Sequence, residues 1–505
     1  TSMSWGYLET PTPGGPNSST ALSDRVDAPD FSPKGGFFDS TTAVTLTSNT
    51  PGATIRYTLN GVEPTESNSF VYSNPLTLSQ ISNKKGHVVR ARAFLSGQLP
   101  SKSKTHTYLI GQDSRLKDVP ALIFSGDEDE IFYKPNGIMS IEGGTYVGQF
   151  DDWQENGPLS YNIPLGRGQQ YERPVHLEFY LGDGTAGFRE DAGVRLSSSG
   201  WSRPKLRLTD TGGSPWASDP TQKPSFNLYF RDDYGTNQLN YPWLGENYPA
   251  TNFEQLRIRA GKNDIRDPFI VDETVRRMFV EMGQQGSVGI TNTLYINGDF
   301  KGFFNMCERL REPFMQSHHG GSEDWDVRQV NDYANGDITT WNTMMNILNR
   351  SGNGDLSLSD WNEALDYLDP VNMADYFLIN IYGATWDWPQ NNWVGARERS
   401  PEGRYRLYVW DAEGSFLSQS YFNPRTHNSF TSDLLSKTDT LSQLFQRLIK
   451  SPEWRLIFAD RINKHMFNDG VLDDRDGLNS RFGQITTALK NEQQPLLNFV
   501  HGQSV

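Results

Sequence analysis

The chain has 505 residues and a formal charge of -15, an acidic balance that disfavours a nonspecific nucleic-acid or anionic-membrane binder. One cysteine, Cys307, excludes an intrachain disulfide and a thiolate metal cluster. No run of about eighteen apolar residues offers a membrane span, and the length exceeds one ordinary core, so several domains are expected.

Residues 1–30, with TPTPGGPNSST, read as an extended linker. Residues 31–112 are all-β in texture. AVTLTSN, ATIRYTLNG, NPLTLSQ and HVVRARAFLSG alternate, with turn signals at Pro51-Gly52 and Asn60-Gly61 between them. That spacing predicts a small immunoglobulin-like sandwich, serving as a binding or spacer module. Residues 113–505 read as a larger α+β domain with a helical C-terminal part. Its first half carries the strand-like VHLEFYLGDG, AGVRLSSS, SFNLYFRDDYG, EQLRIRAG and TLYINGDFKGFFN, with one helix expected between Asp267 and Gly283. From about Ile338 the pattern turns helical, in TTWNTMMNILN, SDWNEALDYL and VNMADYFLINIYG. After Ser432 come TLSQLFQRLI, SPEWRLIFADRINKHMF and RFGQITTALKNEQQPLLNFV.

Between the two helical runs lies TWDWPQNNWVGARERSPEGRYRLYVWDAEGSF, from Thr385 to Phe416. SPEG has the chemistry of a type I turn, flanked by two strand-like segments. A hairpin centred on Pro401–Glu402 sets Asn392 opposite Asp411, and antiparallel partners come within about 5 Å. Asp387 sits on the irregular lead-in just before. Mg²⁺ takes one or two protein oxygens and completes its shell with water and phosphate. Phosphoryl transfer also needs a carboxylate to receive the attacking hydroxyl's proton. Asp387 fits that base, with Asn392 and Asp411 as metal ligands. The plainer alternative is a loop cap at Asp387 and a strand end at Asp411. The cation that phosphate requires is sought in Lys205 or Lys223, with Glu308 either orienting it or pairing with nearby arginines. The turn SSSGWSR offers hydroxyls and amides for phosphate. GDEDEIF and HHGGSEDWD read as loops. No GxSxG elbow is present.

The hairpin closely resembles the hallmark segment of the CotH spore-coat kinase-like family. So does the order of ERPVHLEFYLGDG, DAGVRLSSSG, KPSFNLYFRDDYG, NFEQLRIRAGKNDIRD, YINGDFKGFFNMCERLRE, VNDYANGDITTWN and ADYFLINIYG around it. The resemblance implies a divergent protein-kinase-like fold that transfers phosphate from ATP, with Mg²⁺ or Mn²⁺, to Ser or Thr of extracellular or spore-coat proteins. It assigns Asp387 as catalytic, Asn392 and Asp411 as metal ligands, and Lys223, with Lys205 as runner-up, to the nucleotide phosphates. Glu308 matches a recurrent acidic position. GVRLSSSG replaces a glycine-paired segment of the family, and Glu413 stands where many relatives carry Asp, which leaves an inactive, surface-binding kinase-like protein as the alternative. The segment 31–109 resembles a chitobiase-type C-terminal sandwich, with a carbohydrate or surface contact implied. SWGYLETPTPGGPN resembles the end of a lamin-tail-like domain. Together these imply a truncated piece of an exported bacterial protein, extracellular or on the cell surface.

Overall fold

A computed structural model describes residues 7–8, 21–22, 24–116, 118–147, 152–198, 203, 223–245, 248–261, 270–322, 324–330, 332–416 and 427–501. The chain packs as two compact units. One comprises Thr1–Tyr241 with Thr291–Phe304, the other Pro242–Ile290 with Asn305–Val505. Both mix strands and helical turns, and the first is β-rich.

After the two-stranded pair Tyr7–Leu8 and Ala21–Leu22, the first unit carries a five-stranded and a three-stranded sheet. The larger has the order Gly36–Phe38, Lys104–Ile110, His87–Phe94, Thr54–Thr58, Phe70–Val71, and the smaller Asp30–Ser32, Thr42–Thr47, Leu76–Leu78. Alternation decides which residues turn inward. In HVVRARAF, Val89, Ala91 and Ala93 join Val44, Leu46 and Tyr108 in one core, while Arg90 and Arg92 stay half-exposed. A second, largely buried sheet follows. In it Arg173–Tyr180 lies between Ala121–Ser125 and Ala186–Ser197, and the latter pairs with Ser225–Tyr229. Backbone bonds from Gly86 N to Gly298 O (2.9 Å) and from Phe300 N to Lys84 O (2.9 Å) tie this two-sheet region to the rest of this unit.

The second unit carries the hairpin. The expected helices appear as Val271–Glu281, Thr339–Leu348, Leu358–Ala364, Pro370–Tyr382, Thr440–Leu448, Pro452–Met466 and Arg481–His501. HHGGSEDWD is less of a loop than its composition suggests. His318 and His319 close the helix Glu312–His319, and Trp325 opens the strand Trp325–Gln329. That strand lies in a sheet of order Asp332–Asn335, Trp325–Gln329, Trp393–Glu398, Arg406–Val409. Period-two alternation gives the sheet two apolar faces. Trp393, Leu407 and Val409 face the large helical core, whereas Val394, Ala396, Tyr408 and Trp410 pack with Trp325, Val327 and Phe314. With both faces covered, one residue of slippage would carry Trp393 and Tyr408 into the wrong layers, so the register is strongly set.

Candidate phosphate and metal site

The helix Pro370–Tyr382 aims the lead-in. Pro370 begins it, and the Asp369 side chain caps it by accepting from Asn372 N at 3.0 Å. Gly383 ends it, and three contacts then clamp the lead-in to the segment beyond the hairpin. Trp386 N donates to Gly414 O (3.0 Å), Phe416 N donates to Gly383 O (2.8 Å), and the hydroxyls of Thr385 and Ser415 lie 3.0 Å apart. Trp388 anchors the same stretch from below, buried and donating from Nε1 to the Tyr376 hydroxyl at 3.0 Å. Asp387 and Asp411 therefore stand on two segments fastened to each other, and Asn392 directly precedes Trp393, which pairs with Val409.

The pairing differs from the symmetric hairpin by one residue. Trp393↔Val409 and Ala396↔Arg406 put Asn392 level with Trp410, not Asp411. The cause is a partner distant in sequence. Tyr405 gives its N–H to Tyr367 O (2.7 Å) and its carbonyl to Asp369 N (3.0 Å), which removes it from the hairpin ladder. The SPEG turn itself closes as expected, with Gly403 N donating to Ser400 O at 3.1 Å.

Nine described non-glycine residues have left-handed backbone, and five lie between Ala384 and Phe416. Three of those five are Asp387 (φ 60), Asn392 (φ 60) and Asp411 (φ 58). Asp and Asn tolerate this conformation better than other side chains, but such residues also concentrate at functional sites. Asp387 accepts through Oδ1 from Asn391 (2.9 Å) and Gln390 (3.3 Å), which orients the carboxylate and leaves Oδ2 without a partner among the described residues. Asp411 uses Oδ1 for Arg259 Nη2 at 2.7 Å, and its side chain is 43% exposed.

Two arginines here escaped the sequence reading. The signal was present in EQLRIRAG, where Leu256 and Ile258 point one way and Arg257 and Arg259 the other. The strand Gln255–Arg259 pairs with the end of Asp299–Glu308, and both guanidinium groups lie over the Trp410 ring, at 4.4 and 5.4 Å from its centroid. Arg259 is buried. Burial opposes its charge, yet Asp272, Asp411 and Glu413 outweigh that and hold its pKa well above the ordinary value. Arg257 makes no ion pair among the described residues and keeps Nε buried without a hydrogen bond. Burial, then the neighbouring Arg259, pushes its pKa down to about 10.

The remaining predicted residues are placed as follows. Glu308, in the second unit, is buried and accepts from the Tyr248 hydroxyl, and His318 Nε2 lies 2.8 Å from its carboxylate. Lys223, in the first unit, is buried, donates to the Phe303 carbonyl and sits 4.4 Å from the Phe304 ring centroid. Lys205 and most of SSSGWSR lie outside the described residues. No three His, Cys, Asp or Glu side chains among the described residues are grouped to hold a metal ion. Mg²⁺ or Mn²⁺ needs only one or two protein oxygens, and Asp411 Oδ2 is one that Arg259 does not take.

The CotH kinase protein family matches residues 212–475, over half of the chain, and this chain belongs to it. A second match, to the Fn3 associated family, covers residues 44–108. Among solved structures the chain is similar to a Helicobacter pylori proinflammatory kinase, CtkA, at 12% identity over 54% of this chain and 83% of that one. The TM-score of 0.21 is too low to carry an argument. No curated protein matches. No described helix is long and apolar enough to cross a membrane.

Proposed function

We propose that the chain is a kinase that uses ATP with Mg²⁺ or Mn²⁺ to phosphorylate Ser or Thr hydroxyls of extracellular or surface proteins. The observation that carries this reading is the concentration of left-handed Asp387, Asn392 and Asp411 on two segments clamped together inside the family-matched region. Asp387 accepts the hydroxyl proton as the oxygen–phosphorus bond forms and the bond from the γ-phosphorus to the bridging oxygen of ADP breaks. Asn392 and Asp411 hold the divalent ion, which when bound neutralises phosphate charge. Arg257 supplies a cation in the second unit, because a half-buried guanidinium with no ion-pair partner among the described residues favours an incoming anion. Family resemblance adds Lys223, or else Lys205, as the lysine for the nucleotide phosphates, and Glu308 as a recurrent acidic position.

Titration calorimetry of the full chain with ADP and Mn²⁺ tests this reading. Wild type is expected to bind, and Arg257→Gln to bind about 10–100-fold more weakly, the worth of a hydrogen bond to a charged group. Wild type that binds no nucleotide with either metal would leave the inactive, surface-binding kinase-like protein as the better account.

A further inference from the structure

We propose that the Arg259 guanidinium serves as a fixed second cation of this site, so that the chain works with one bound divalent ion. The inference rests on the nucleotide-and-metal reading above. A single nitrogen, Nη2, lies 2.7 Å from Asp411 Oδ1 and 2.8 Å from Glu413 Oε1. Two carboxylate oxygens are thus drawn to one delocalised cation, a gathering that a bridging Mg²⁺ would otherwise make. Here the bridging position is filled by a group that keeps its proton at any physiological pH.

The guanidinium is also held in place. Its Nε lies 3.3 Å from Asp272 Oδ2, and the same oxygen accepts from Arg276 Nε at 2.8 Å. Asp272 Oδ1 accepts from Ala412 N at 2.8 Å, so the acid that anchors Arg259 also anchors the chain between Asp411 and Glu413. Swinging Arg259 away for a second metal would leave Asp272 and Glu413 buried with lost partners. Asp411 thus divides its labour, giving Oδ1 to the arginine and keeping Oδ2 for the metal.

Counting Mn²⁺ by electron paramagnetic resonance on the full chain saturated with ADP tests this directly. The expected result is one Mn²⁺ per bound ADP in wild type, and two in Arg259→Gln, where the position between Asp411 and Glu413 is vacated. Two Mn²⁺ per ADP in wild type would overturn the inference, as would a count that stays at one in a folded Arg259→Gln protein. Should that variant not fold, the wild-type count alone decides. If wild type retains no ADP at all, the nucleotide reading itself falls and takes this inference with it.

Discussion

Replacing Asp272 by Asn removes one charge and nearly no volume from the centre of the arginine network. Asp272 is 3% exposed and meets Arg259, Arg276 and the Ala412 amide at once. Burial raises its pKa, but the two arginines more than offset this and leave the carboxyl below its ordinary range. The Asn side chain keeps an oxygen for Ala412 N, while both ion pairs are lost and two buried guanidinium groups are left short of charge. Removing one partner of a buried pair costs about 3–5 kcal/mol, and the retained hydrogen bond places Asp272→Asn near the lower end, about 3 kcal/mol. For a unit of this size each kcal/mol moves Tm by roughly 2–4 °C, so a fall of about 6–12 °C is expected. Urea titration followed by tryptophan fluorescence reads the free energy, and scanning calorimetry reads the temperature. A change below about 1 kcal/mol would refute the claim that this network holds the segment from Asp411 to Glu413.

Other consequences follow from single contacts. His319 is held at about 4 by burial first, then by Arg406 and His318. Its unfolded value is near 6.5, so between these values the unfolded chain takes up a proton that the folded one resists. Stability from this residue is complete above about pH 6.5 and is lost as pH falls toward 4, by at most about 3 kcal/mol. Urea midpoints across this window should flatten in His319→Gln, and an unchanged slope would speak against it. A Cβ at Gly403 would stand 1.9 Å from the Glu398 carbonyl oxygen, so Gly403→Ala should force the SPEG turn open at about 1–3 kcal/mol. Hydrogen exchange should then rise in Trp393–Glu398, and unchanged protection would show that the turn tolerates the methyl group.

The helices were legible because capping residues and apolar spacing act over a few neighbours, as Asp369-Pro370 does for the helix that leads into Asp387. The hairpin was legible from SPEG and its flanking strands, but its register was not. Tyr405 pairs with Tyr367 and Asp369, an attachment that no local pattern announces, and the ladder moves by one residue. The clamp between Trp386 and Gly414 is a tertiary contact of the same kind. For the site, the oxygens were visible as residue types, while its cations were sought among lysines. Arg257 and Arg259 were overlooked because alternation in EQLRIRAG marks a strand as strongly as it marks a charged face. Only the sheet shows that this face meets Trp410, Asp411 and Glu413.

On the proposed reading Asp387 receives a proton during phosphate transfer. Transfer of label from γ-labelled ATP to Ser or Thr, with Mg²⁺ or Mn²⁺ present, measures it most directly. Asn suits the left-handed backbone at position 387 as well as Asp does, so Asp387→Asn removes the base without straining the loop. Wild type is expected to label its acceptor, and labelling to fall about 10²–10⁴-fold in Asp387→Asn while Mn²⁺–ADP binding persists. Equal labelling by the two proteins, or none by a wild type that binds the nucleotide, would contradict it.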